Sequence, residues 1–258
     1  MSTPSGVPQA PVSAGGVEGQ AAVIGEVAKE MYSLRFDGSS FLHRTPSVNH
    51  GEKYTFSGWF KKGMISGGTI ISAGNVSGSI YYHYMSYNER ITNVHYPDSS
   101  GGMWLNTESL YRDLSAWIHI VWVVDCQNSE EKLKQRIFVN GLEIEKFVTA
   151  TFPVTYSSRV GCINNSSYQN RIGGPVQGHT SYFNGYMSNL ILIDEQALEP
   201  SSFGELISDV WRPSSYSGDY GVNGFHLDFD PDNMIYDSNG KLTQVKDASG
   251  NDNHWTAN

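Results

Sequence analysis

From Met31 onward the sequence is a succession of short branched and aromatic runs broken by Gly, Asn and Ser, with no ten-residue helical pattern between them. That pattern constrains the fold more than any other, because strands alternate their faces and need frequent turns. Tyr32–Phe36, Tyr54–Phe60, Thr69–Ala73 and Ser79–Tyr87 all read as strands. Trp117–Asp125 (WIHIVWVVD) is apolar on both alternating sets, which predicts a strand covered on both faces. Asn140-Gly141, inside QRIFVNGLEIEKF, supplies the two positive-φ positions of a type I′ turn and predicts a hairpin. A further strand is expected over Gly185–Ile193, where Gly185 allows a close approach to the core.

Helix is nearly absent. The best candidate is LEPSSFGELIS, where Ser201 or Ser202 is placed to cap a turn or two ending near Ser208. Many short strands without intervening helices predict an antiparallel sandwich or jelly roll, in one domain beginning near Met31.

Residues 1–30 contain no aromatic and carry Pro4, Pro8 and Pro11 among the chain's ten prolines. Such a stretch buries too little apolar area to offset its ordering entropy. It reads either as a flexible tail or as an anchor arm that orders only against a larger assembly. Val17–Glu30 has residues suited to a short helix within it. The first basic residue is Lys29, so the basic n-region of a secretory signal is not expected.

Composition removes several classes. With 17 basic and 26 acidic residues the net charge is −9, the wrong sign for displacing counterions from nucleic acid. Aromatic residues make up 12% of the chain, too many for an intrinsically disordered one. Two cysteines, Cys126 and Cys162, are too few for a disulfide scaffold or a zinc cluster, and free thiols are expected. No apolar run approaches the roughly twenty residues of a membrane-spanning helix, so a soluble chain without membrane insertion is expected.

Four segments, in order, resemble the laminin-G/pentraxin-type branch of the concanavalin A-like lectin/glucanase jelly rolls. They are SLRFDGSSFLHRTPS with its Asp37-Gly38 turn, YTFSGWFKK with Trp59, SAWIHIVWVVD…QRIFVNGLEI with Trp117 and His119, and RIGGPVQGHTSYFNGYMSNLILIDEQALEPSSFGEL. The resemblance covers roughly Tyr32 to Leu206. It implies an all-β fold: an antiparallel two-sheet jelly-roll sandwich, with residues 1–30 as an extended N-terminal arm and 31–210 as the jelly roll. Residues 211–258 (GDYGVNGFHLDFDPDN…DASGNDNHWTAN within them) resemble a stretch that follows lectin-like domains in bacteriophage tail, fibre and other virion proteins. They are expected either to pack on the jelly roll or to enter a further module. The same resemblance implies a virion location after assembly in host cytoplasm, contacts to other virion proteins through the arm, a host-surface glycan as ligand and a homotrimer.

The fold branch includes glucanases, which carry Glu-x-Asp-x-x-Glu on one strand. Here Glu143, Glu145 and Val148 occupy those positions, so the third carboxylate is missing and no enzyme is expected. Gly-x-Ser-x-Gly and His-Glu-x-x-His are also absent. The expected cofactor is none, with calcium the one candidate the resemblance raises. Asp228, Asp230 and Asp232 alternate as oxygen ligands can, but an EF-hand would need Gly and Glu where Asn233 and Asn239 stand. Asp125 with Asn128 is a second such pair. Turn chemistry accounts for these residues equally well. His119 reads as a hydrogen-bonded core residue.

The aromatic distribution is the best pointer to a site. Tyr81, Tyr82, Tyr84, Tyr87, Tyr96 and Trp104 crowd one stretch, and strand alternation splits Tyr81, His83, Met85 and Tyr87 from Tyr82 and Tyr84. Both faces cannot be core. The carbohydrate-binding candidates are Tyr82, Tyr84, Tyr87, His95, Tyr96 and Trp104, since flat rings with polar tips stack on sugars. A subunit interface explains the same residues as well. Three functions therefore stand: a tail-fibre or surface adhesin, a ligand-free capsid decoration or fibre-base protein, and a glycan depolymerase.

Overall fold

The structure, a computed structural model, describes residues 31–75, 81–96, 103–151, 162–176 and 180–258, with backbone alone at 75, 81–84, 95 and 96. The expected arm and its short helix lie outside these residues. Strands β1 (Leu34–Asp37), β2 (Leu42–Arg44), β3 (Lys53–Lys62) and β4 (Thr69–Asn75) lead into a meander of β5 (Tyr81–Tyr87), β6 (Ile91–Tyr96) and β7 (Met103–Thr107). Next come β8 (Ile118–Asp125), β9 (Gln135–Val139), β10 (Leu142–Glu143) and β11 (Phe147–Thr151). The short β12 (Asn170–Ile172) precedes the long β13 (Asn184–Asp194), then the hairpin β14 (Gly204–Ile207) and β15 (Val210–Pro213). The chain ends with β16 (Phe225–Leu227), β17 (Met234–Tyr236), β18 (Leu242–Val245) and β19 (Trp255–Ala257).

Two antiparallel sheets form the sandwich. One has seven strands in the order β1-β13-β3-β8-β9-β10, with β16 paired to β13 beyond β1. The other has ten, ordered β11-β7-β6-β5-β4-β12-β2-β19-β18-β17. Neighbours distant in sequence, such as β1 with β13 and β4 with β12, give the crossovers of a jelly roll. The residues after Trp211 belong to both sheets: β16 extends the first and β17–β19 the second. Phe225 and Trp255 meet edge to face at 5.0 Å within the main core.

That core holds Phe56, Phe60 and Trp122 from the first sheet against Ile71, Met85 and Leu105 from the second, all fully buried. Side chains of this kind contribute about 1.5–3 kcal/mol each on burial. A second cluster explains why β8 is apolar on both sets. Val121 and Val123 face away from the main core, where Ile191, Ile193, Phe138 and Phe203 cover them, with Leu198, Tyr216 and Tyr220 packed against the cluster. All eight residues of β8 are buried, as their pattern predicts. Trp117 is a correction: it precedes β8, is 37% exposed and tilts against Tyr186.

Asn140 and Gly141 take φ of 49° and 82° and close a two-residue loop between Val139 and Leu142. The expected helix after Glu199 does not form. Pro200–Ser202 make a single 3-10 turn without a side-chain cap, and the chain then enters β14. Ser208 and Asp209, both at positive φ, turn it straight into β15. Trp211 on β15 docks against His119, and that tertiary contact outweighs a weak helix preference.

A groove on the outer face of the ten-stranded sheet

Strand register defines two cross-strand rows on the face of the ten-stranded sheet that points away from the core. Ser72, Val94, Trp104 and Thr151 stand in one row, with the backbone of Tyr84 between Ser72 and Val94, and Thr69, Ser86, Thr92 and Asn106 stand in the next. In β7 the alternation is plain: Met103 and Leu105 are fully buried while Trp104, between them, is 38% exposed. Trp104 is therefore an outward indole among outward hydroxyl and amide side chains.

The segment after β12 returns over this face. Ser72 Oγ donates to the Gly174 carbonyl (2.8 Å), Arg171 Nη1 donates to that of Pro175 (3.0 Å), and Thr69 N–H donates to Ser181 O (2.9 Å). Between this segment and the strands lies a groove of about 250 Å³. Thr69, Ser86 and Thr92 form its floor, Trp104 one wall, Pro175, Val176 and Ser181 the other, and Asn88 one end. A second compartment of about 290 Å³ continues past Asn88 and Thr92, adding Ser66, Glu89, Arg90 and Asn106.

The loops at this end are pinned from below. Lys62 is 1% exposed, and its ammonium donates to the carbonyls of Asn88 (2.7 Å), Ile65 (3.3 Å) and Tyr111 while lying 4.4 Å from the Tyr87 ring centre. Burial lowers the Lys62 pKa, and the nearby Glu89 charge raises it by less. Gly67 has φ of +48°, and a Cβ there would fall 1.6 Å from the Tyr87 carbonyl, so the loop needs glycine. Glu89 pairs with Arg112 (2.8 Å), and Arg90 Nη1 donates to the Thr107 (2.7 Å) and Glu108 carbonyls.

Of the six aromatic candidates, the structure places Trp104 in the groove wall. Tyr87 is a correction: it is 1% exposed in the core, edge to face with Tyr111 at 6.1 Å, and burial raises its pKa. It shares the inward set with Met85, which is fully buried. Tyr84 stands opposite Val94 in the Trp104 row, Tyr82 opposite Tyr96, and His95 opposite Met103; the side chains of Tyr82, Tyr84, His95 and Tyr96 lie outside the described residues. Alternation around Trp104 points to Asn106, but nothing local marks Pro175, Val176 or Ser181.

The other candidates have structural partners. Glu143 is held by Arg136 (2.9 Å), which also binds Glu199 (2.6 Å). Asp228 accepts from the Asp230 N–H and the Asn233 amide, and Asp230 accepts from the Asp232 N–H, so these acids build turns. Asp125 pairs with Lys53 at 3.1 Å. Among the described residues no group of three or more His, Cys, Asp or Glu could hold a metal ion, and no helix is long and apolar enough to cross a membrane. Cys126 and Cys162 are buried free thiols whose pKa burial pushes up to about 12. His119 is 1% exposed, with burial holding its pKa down at about 3, as a core histidine requires.

No protein-family model matches the sequence, and no curated protein matches it. Solved structures do match in fold. A "putative carbohydrate binding protein" from Bacteroides ovatus superposes with a TM-score of 0.52 at 14% identity, over 88% of this chain and 58% of that one. The LG4-5 domains of mouse laminin α1 match with a TM-score of 0.48 at 13% identity, over 74% of this chain and 47% of that one. The SAP-like pentraxin of Limulus polyphemus gives 0.44 at 14% identity, over 64% and 76%. The chain has an antiparallel two-sheet jelly-roll sandwich fold.

Proposed function

We propose that this domain is a carbohydrate-binding module that holds glycan, without cleaving it, in the groove beside Trp104. One observation carries the reading. A half-exposed indole forms one wall of a groove whose floor presents Thr69, Ser86 and Thr92, the pairing of flat apolar surface with hydroxyls that suits a sugar ring. The description of the Bacteroides ovatus structure is in keeping with it. Binding needs no metal in this reading, and the Arg136-bound Glu143 is left without a catalytic role.

Display on a phage particle as a tail-fibre or surface adhesin extends the proposal and rests on the sequence resemblance of residues 211–258. In that setting residues 1–30 join other virion proteins, the module is a homotrimer, and the ligand is a host-surface glycan. Exposed Leu206, Ile207 and Val210 on the β14–β15 hairpin favour a second reading, a decoration or fibre-base protein that packs on protein neighbours.

A glycan array paired with a reducing-sugar assay tests the reading. Binding without released sugar is expected. Released reducing ends would make the protein a depolymerase, and silence in both assays would favour the decoration role.

A further inference from the structure

We infer that the groove takes an uncharged glycan of at least two sugar units, one against Trp104 and the next over Asn106. The inference rests on the carbohydrate-binding reading and specifies its ligand. Among the described residues, no side chain lining the compartment beside Trp104 ionises. A carboxylate or sulfate placed there would lose water with no described cation in the lining to replace it. The hydroxyls of a neutral sugar meet matching groups in Ser86, Thr92 and Asn88.

Size argues for more than one unit. Each compartment, at about 250 and 290 Å³, is smaller than the roughly 300 Å³ at which small-molecule sites begin, whereas the two joined exceed it. They adjoin, since Asn88 and Thr92 line both. In the second compartment the charges are committed: Glu89 to Arg112, and Arg90 to two carbonyls. The amides carry the recognition. Thr92 Oγ1 donates to Asn106 Oδ1 (3.2 Å), which fixes that amide and leaves its NH₂ without a described acceptor. Asn88 Nδ2 donates to Ser86 Oγ (3.4 Å), leaving its Oδ1 to accept. An amide donor and an amide acceptor in one compartment suit neighbouring sugar hydroxyls, each of which both gives and takes a hydrogen bond.

Isothermal titration of the full chain and of Asn106→Ala tests this, using mono-, di- and trisaccharides of glucose, galactose, mannose and arabinose together with α2,3-sialyllactose. At least one neutral series is expected to gain tenfold or more in affinity from one unit to two. Asn106→Ala should erase that gain and keep the melting temperature. Equal affinity for one and two units would overturn the two-unit inference while leaving carbohydrate binding intact. Preference for sialyllactose would overturn the neutral class. Binding of no sugar in any series would remove the inference together with the reading beneath it.

Discussion

The Trp211 indole N–H donates to His119 Nδ1 across 3.0 Å, and so fixes the tautomer of a histidine sealed in the seven-stranded sheet. With Nδ1 accepting, Nε2 carries the proton and donates to Ser57 Oγ at 2.8 Å. Trp59 stacks on the imidazole at 5.0 Å, and the Trp211 ring meets its Nδ1 edge with the ring centres 6.0 Å apart. The ring has no place for a second proton.

This arrangement makes stability depend on pH. Burial lowers the folded pKa of His119 from 6.5 to about 3, so between those values the unfolded chain binds the extra proton. The contribution is complete above about pH 6.5 and is lost as pH falls towards 3. Across that window it should decline by about 1.4 kcal/mol per pH unit. Urea unfolding at pH 6, 5 and 4 should therefore show a shallower acid loss in His119→Gln than in the wild type. Parallel curves would assign the acid sensitivity to other groups.

Much of this half of the molecule is legible from sequence because its signals are local. Asn140-Gly141 names its own turn, and the two apolar sets of Trp117–Asp125 announce a strand covered twice. What covers the second set is not local: Phe203 and Tyr216 arrive from a segment whose serines read as a helix cap until Trp211 pulls it into a hairpin. The groove divides the same way. Trp104 stands out by alternation, whereas an aromatic count alone cannot separate inward Tyr87 from it, and the opposite wall comes from residues about seventy positions later that have no motif.

Gly141 couples the two hairpins. Its φ is +82°, and an added Cβ would lie 2.5 Å from the Trp211 ring. Gly141→Ala therefore meets both a strained backbone and a displaced indole, and a loss of about 2 kcal/mol is expected. The equivalent change at Gly240, where a Cβ meets nothing within 4 Å but φ is +79°, carries the backbone cost alone. Chemical denaturation of both variants should rank Gly141→Ala as the more damaging.

Lys62 should matter for the groove as well as for the fold. Lys62→Met keeps the aliphatic stem but strips the donor from the carbonyls of Asn88, Ile65 and Tyr111. Orphaning buried acceptors costs about 1–3 kcal/mol each, less where water can enter. A loss of roughly 3 kcal/mol is expected, with faster amide exchange at residues 63–68 and 108–112 than elsewhere. Uniformly faster exchange would show that Lys62 has no particular hold on these loops.

The residues after Pro213 should not be separable from the sandwich. Phe225, Leu227, Phe229, Val245 and Trp255 are all in the main core, and β19 lies directly against β2. A chain ending at Pro213 loses these and leaves two sheet edges open, so it should lack a cooperative thermal transition. A truncated protein that melts sharply near the full-length temperature would instead mark residues 214–258 as an accessory layer.

Two tryptophans with nearly equal exposure make the decisive comparison for the groove. Trp104 is 38% exposed on the ten-stranded sheet and Trp117 is 37% exposed beside the seven-stranded one. Each gives up similar buried area on truncation, so Trp104→Ala and Trp117→Ala should cost similar stability, on the order of 1 kcal/mol. Only Trp104 faces Val176 and Pro175 across a groove floored by hydroxyls, whereas Trp117 leans on Tyr186. Stacking against an indole contributes about 0.5–1.5 kcal/mol beyond the area it buries, so losing both terms should weaken glycan binding by tenfold or more. Trp104→Ala should therefore abolish array signals that Trp117→Ala retains, with matched melting temperatures excluding a folding defect. The reverse pattern would move the ligand to the opposite sheet.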